Sequence, residues 1–102
     1  MPMREIPRSG TQSIERALAV IRDVAAHHQL GARLTDIAQR CGMDKGTTCR
    51  VLACLVREQV VEQRASDKRY LPGQGLFELG LTVPAYRALQ EASRLPMERA
   101  AR

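Results

Sequence analysis

Lys45, Thr47 and Arg50 bring together three side chains whose chemistry suits a polyanion. They lie in the stretch LTDIAQRCGMDKGTTCRVLACLV, residues 34–56, on the side of a predicted helix opposite Val51, Leu52 and Leu55, together with Gly46 and Arg57. Lysine offers a phosphate a compact charge, and threonine offers a hydroxyl or a methyl. Arginine offers either a phosphate contact or a two-donor contact to the O6 and N7 atoms of guanine. A second basic group, Arg64, Lys68 and Arg69 with Asp67 as counter-charge, follows at the tip of a predicted β-hairpin. The bland alternative is a solvated charged face, so the decision rests on the elements that position these residues.

Leu34, Ile37, Ala38 and Cys41 fall at i, i+3, i+4 and i+7 and share one helical face, with Thr35 placed to cap and Asp36 against the positive end of the dipole. Gly42 supplies the left-handed residue that ends the helix. Asp44 then caps or charge-stabilises a second helix, whose apolar side is Val51, Leu52 and Leu55 with Thr48 at its edge. Ala38, four residues before the glycine, is small enough for a close crossing. The pattern is a helix-turn-helix, the geometry that sets a second helix into a major groove. A glycine-turned helical hairpin also occurs in proteins that never meet nucleic acid, and the flanks separate the two cases.

On the C-terminal side, VVEQR, the polar turn ASDK and the return RYLPG form a candidate β-hairpin, with Val61 and Tyr70 best able to pack inward. A helix-turn-helix followed at once by a basic hairpin is a winged helix, and a wing lies along a phosphate backbone or in a minor groove. On the N-terminal side, Ser13 is placed to cap a helix whose core face is Ile14, Ala17, Leu18, Ile21, Val24 and Ala25. Residues 29–33 with Gly31 make a turn beside which a short strand can start and cap the wing. Met1 to Gly10 has two prolines, Arg4 and Arg8 and no apolar period, so it reads as a flexible arm, able to reach a minor groove or simply frayed. Beyond Gly75, Leu76, Phe77, Leu79, Leu81, Val83, Tyr86 and Leu89 give a helical tail in which Pro84 either kinks one helix or begins another. That is more apolar surface than an exposed linker needs. Part is expected on the first helix and the remainder against a second copy of the chain.

At 102 residues and 44% hydrophobic content the chain makes one small domain with a modest core. Its 16 lysines and arginines exceed 11 acids to give +5, and all but Lys45 and Lys68 of those cations are arginine. That balance favours polyanionic partners, although basic composition also follows from genomic base bias. No apolar run spans a bilayer and no signal-peptide pattern opens the chain, so a cytoplasmic protein without membrane contact is expected. Cys41, Cys49 and Cys54 are odd in number and lack paired spacing, so buried or half-buried thiols are expected rather than disulfides or zinc. Adjacent His27 and His28 point about 100° apart on a helix and cannot share a metal as an i, i+4 pair would. No nucleophile with a base, phosphate loop or paired-carboxylate motif marks an enzyme, and no cofactor is expected.

From Ser13 to Gly80 the segments SIERALAVIRDV, LTDIAQRCGMDKGTTCRVLACLV, VVEQ, RY and LFELG stand in the order and spacing of the N-terminal domain of the IclR (isocitrate lyase regulator) family, which the chain resembles. The resemblance implies a mainly α fold with a small β-hairpin wing, a winged helix-turn-helix followed by a linker helix. It divides the chain into an arm at 1–10, a DNA-binding domain at 11–73, and a linker helix with the start of an effector domain at 74–102. The tail SRLPMERAAR reads as the end of that linker, so a fragment of a longer regulator is expected. The implied function is sequence-specific reading of a double-stranded operator by a homodimer, or a tetramer at full length, with a small-molecule effector bound to a domain outside these residues. Lys45, Thr47 and Arg50 match the family's recognition-helix pattern, and with Gly46, Arg64, Lys68 and Arg69 they make the expected DNA-binding set. Gly46 replaces a usual serine, Cys49 a frequent histidine and Pro72 a strand leucine. Gln59 stands for a usual glycine, so a non-glycine residue is expected to turn left-handed there at a cost of roughly 1 kcal/mol or more. The competing class is a winged helix that binds another protein. It calls for apolar side chains where this sequence has Lys45, Thr47, Arg50 and Arg57.

Overall fold

The computed structural model describes residues 10–85, 89, 91 and 92. The arm's Arg4 and Arg8, Tyr86 and the tail SRLPMERAAR lie outside the described residues. The elements in order are α1 (Gln12–Ala26), α2 (Leu34–Cys41), α3 (Lys45–Arg57), β1 (Val61–Gln63), β2 (Tyr70–Pro72) and α4 (Gln74–Gly80). Helices dominate, and one antiparallel hairpin forms the wing.

The core lies where α1, α2 and α3 cross and is closed at one end by the hairpin. Val20, Val24, Ile37, Leu52 and Val61 are fully buried, with Leu55, Ala32 and Tyr70 around them. In α1 the buried stripe runs Ala17, Val20, Ile21 and Val24, one clean i, i+3, i+4, i+7 set. This corrects the wider face expected from the sequence, which omitted Val20. Ile14 is 59% and Leu18 43% exposed, and Ala25 is also exposed, because a core this small covers only one narrow stripe of the helix. The N-cap position is also corrected: it is Thr11, not Ser13, which stands inside the first turn. An ion pair also ties α1 to α2, Arg40 Nε and Nη2 donating to Asp23 Oδ1 and Oδ2 at 2.8 and 3.0 Å.

The helix-turn-helix follows its expected logic with one change. α2 starts two residues earlier than a Thr35 cap would set it, so its N-cap is Arg33 in extended conformation and Thr35 stands in the first turn as no cap. Gly42 is left-handed at φ 67°. The Gly42 amide donates to Gln39 O and the Met43 amide to Ala38 O, which satisfies the last carbonyls of α2. Asp44 caps α3, accepting from the Thr47 amide at 2.6 Å, and the buried Thr48 hydroxyl donates back to Asp44 O at 2.8 Å.

The exit from α3 repeats the Gly42 geometry without a glycine. Gln59 has φ +66°, the left-handed turn expected there, and the Val60 amide reaches back to Leu55 O at 2.9 Å. β1 and β2 pair Val61 with Pro72, Glu62 with Leu71 and Gln63 with Tyr70, with Val61 and Tyr70 turned inward. Ala32 exchanges two backbone hydrogen bonds with Tyr70, at 2.8 and 2.9 Å, and so adds the short strand-like contact expected beside the turn after α1. Gly73 lies so close to the α3–β1 turn that a Cβ there would meet Gln59 O at 2.5 Å. The sequence pattern does not announce this approach.

α4 is short, packs chiefly on β1 rather than α1, and buries none of its own side chains. Helix resumes at Pro84, which therefore begins a second segment instead of kinking a single one. Among the described residues no helix is long and apolar enough to cross a membrane.

Candidate nucleic-acid interface

The outward face of α3 is built by its own register. With Thr48, Leu52 and Leu55 buried, Lys45, Gly46, Cys49, Arg50, Ala53 and Arg57 must face solvent, and all of them are exposed. Cations thus stand at the start, middle and end of a face whose intervening residues are Gly46, Cys49 and Ala53, with Val56 exposed at its edge. Asp44 closes the helix N-terminus, and the hydrogen bond from the Thr47 backbone, then that from its side chain, holds the Asp44 carboxyl below its usual range. Thr47 is half-buried. Its hydroxyl oxygen accepts a hydrogen bond from Arg50 Nη2 at 3.3 Å, so the expected pair Thr47 and Arg50 is brought into contact.

The wing is tied down by its own side chains. Arg64 donates through Nε and Nη2 to Asp67 Oδ1 and Oδ2 at 3.0 and 2.8 Å, and Nη2 also reaches Leu30 O at 2.8 Å. Arg69 Nη1 donates to Gly31 O at 3.1 Å while its Nε stands 3.5 Å from Asp67 Oδ2. The Arg64 guanidinium, foremost among its partners, holds the Asp67 carboxyl down to about 2. Two of the three expected wing cations therefore brace the hairpin against the turn after α1. Lys68 is exposed, in a left-handed conformation at φ +66°, and has its carbonyl held by Gln63 Nε2 at 3.1 Å.

Between α2 and the wing runs an open groove of about 290 Å³ lined by Arg33, Leu34, Thr35, Gln63, Asp67, Lys68 and Tyr70. Arg33 is the cation that sequence reasoning missed here. Its signal was its position, the residue directly before the first helix of the turn motif.

The remaining candidate groups have structural duties or none. His27 and His28 turn Nδ1 to the carbonyls of Asp23 and Ala25, both at 2.8 Å, and so close the end of α1. All three cysteines are free. Cys41 is half-buried and burial pushes its thiol up, but Cys49 and Cys54 are exposed, contrary to the buried thiols expected, because both lie on the outward side of α3.

A family model described as the IclR helix-turn-helix domain matches residues 13–65. The chain is 43% identical over 72 residues to a glycerol operon regulatory protein of Streptomyces coelicolor, covering 70% of this chain and 28% of that protein. It is 43% identical over 70 residues to a protein of the same name from Streptomyces griseus, covering 68% and 27%. The chain thus spans little more than a quarter of the length of the curated relatives it matches. Among solved structures, it is similar to an IclR family transcriptional regulator from Brucella abortus, with a TM-score of 0.65 and 28% identity over 74% of this chain and 28% of that one. The fold is also that of HmgR from Pseudomonas aeruginosa, at a TM-score of 0.61 and 24% identity over 74% of this chain and 29% of the other.

Proposed function

The chain belongs to the IclR family of transcription regulators, whose helix-turn-helix domain it carries, and from that premise we propose that it reads double-stranded DNA sequence-specifically, as the operator-binding part of a dimeric regulator. The observation that carries this reading is the outward face of α3, where Lys45, Arg50 and Arg57 stand exposed on a capped helix with the small residues Gly46, Cys49 and Ala53 between them and Val56 at the edge. Small side chains let a helix sit close to a groove floor, and spaced cations meet the phosphates on either side. In this assignment Arg50 contacts a base, Lys45 a phosphate near the helix N-terminus, and Thr47 works beside them. Gly46 keeps the approach open. The division into a reading domain at 11–73 and a linker at 74–102, with an effector-binding domain beyond it, is part of the same proposal.

Titration of duplex DNA at several salt concentrations tests the interface. Affinity should fall with salt by a slope of about 0.9 for each phosphate neutralised, and failure to bind any duplex would overturn the proposal. The wing gives a sharper number. Removing Lys68 and Arg69 together should lower the slope by about 0.9 for each of the two that neutralises a phosphate. A fall of about 1.8 would mean that both neutralise phosphates, Arg69 through donors that its bond to Gly31 O leaves over.

Dimerisation is proposed through the apolar surface that the core leaves uncovered. Ile14 and Leu18 on α1 are exposed, and on the C-terminal side Phe77 is 56% and Leu79 62% exposed, followed by Val83 and Leu89. Each large apolar side chain fully buried against a second copy contributes roughly 1.5–3 kcal/mol. Sedimentation equilibrium should therefore find dimers as concentration rises. Replacing Phe77 and Leu79 by serine should shift the chain toward monomer, and a wild-type chain that stays monomeric at every concentration, with and without DNA, would remove the dimer from the account.

A further inference from the structure

The first turn of α3 does more than begin a helix. Arg50 Nη2 donates to Thr47 Oγ1 at 3.3 Å. A Cβ built on Gly46 would stand 3.5 Å from Arg50 Nη1 and 3.9 Å from Asp44 Oδ1. The guanidinium is thus folded back over the helix N-terminus, across the one residue there that has no side chain, and on the same side as the capping carboxylate. Both Arg50 and Arg16 place positive charge within reach of that carboxylate.

We infer that Thr47 and Gly46 are positioning residues for Arg50, the threonine oxygen holding one guanidinium N–H and the glycine leaving the space that the guanidinium occupies. The inference rests on the proposed reading of Arg50 as a base contact. Donor counting permits it, since a guanidinium has five N–H donors, Thr47 takes one and a guanine edge takes two. The bond to Thr47 can therefore persist while the base is read. A long side chain free to sample many rotamers loses that freedom on docking, and a fork restrained beforehand loses less. Threonine at 47 then acts through Arg50, in place of the phosphate or thymine-methyl contact that its residue type alone implies.

The test is a double-mutant cycle on the folded chain, read as the preference for guanine over adenine at the base pair that Arg50 contacts. Thr47→Val keeps the branched shape and the backbone amide that Asp44 caps but has no acceptor. It should lower the preference about three- to tenfold, the equivalent of one net hydrogen bond. Thr47→Ser should retain the preference, and Gly46→Leu, which fills the guanidinium's place, should lower it as Thr47→Val does. In an Arg50→Ala background Thr47→Val should change the preference no further. If the two losses add, or Thr47→Val lowers overall affinity with the preference intact, positioning is overturned and Arg50 still reads its base. If Arg50→Ala leaves the preference intact, the base-reading proposal fails and this inference fails with it.

Discussion

Replacing Leu52 by alanine is expected to lower the unfolding free energy by about 2–5 kcal/mol, measured by urea denaturation followed by circular dichroism. Leu52 is fully buried on the inward face of α3, in one cluster with Val20, Val24 and Ile37. It lies in the core where α3 packs against α1 and α2. Truncation removes the leucine's transfer energy and leaves a cavity that three crossing helices cannot easily close. Small domains hold only about 5–15 kcal/mol in total, so the variant should populate unfolded chain at ambient temperature. The control is Leu79→Ala. Leu79 is 62% exposed, and a change there should stay within about 0.5 kcal/mol for the monomer. A Leu52→Ala loss below about 1 kcal/mol would place the centre of the core elsewhere.

Arg50→Ala should cost about 1–3 kcal/mol on the preferred duplex and much less on an unrelated one, so that specificity relaxes at one base pair. The residue is exposed one turn into α3, flanked on its own face by Gly46, Cys49 and Ala53, so no bulky neighbour keeps it from the groove floor. Guanine presents two acceptors on its major-groove edge, and the arginine fork matches both. Lysine at 50 retains the charge but offers no planar fork, so Arg50→Lys should recover non-specific affinity more than it recovers preference. If alanine weakens every duplex equally, Arg50 neutralises a phosphate and the base contact lies elsewhere on α3. Competition titrations with single-base-pair variants separate these outcomes.

Local chemistry made the turn motif legible. Gly42 and Asp44 each do a job that a short stretch of chain dictates, one at a left-handed exit and the other at a cap, and both do it in the structure. Gln59 was legible in another way, since the family pattern expects glycine there and the backbone is left-handed even without it. α1 was harder because its apolar residues spread wider than the stripe that the core covers. Periodicity cannot tell Ile14 and Leu18, which stay exposed, from Val20 and Val24, which do not. The wing was harder still. Arg64 and Arg69 looked like free cations, yet they donate to Leu30 O and Gly31 O, 34 and 38 residues away in sequence. A side chain bonded to a distant carbonyl leaves no periodic trace. Gly73 escaped for the same reason, since the backbone it approaches belongs to the turn after α3. Among the expected contact residues, those on α3 could be placed by register alone, whereas those on the wing depended on tertiary bonds.

The role proposed for α3 is to read base sequence in double-stranded DNA. Its most direct test is selection of bound duplexes from a random pool, carried out in parallel with the wild-type chain and with Arg50→Ala. The wild type should enrich a defined motif containing a guanine, and the variant should enrich the same motif with that one position blurred, since a lost base contact discriminates by about 1–3 kcal/mol at its own base pair. A wild-type chain that binds the pool but enriches no motif would contradict sequence reading, and an unchanged motif from Arg50→Ala would contradict the role assigned to this residue.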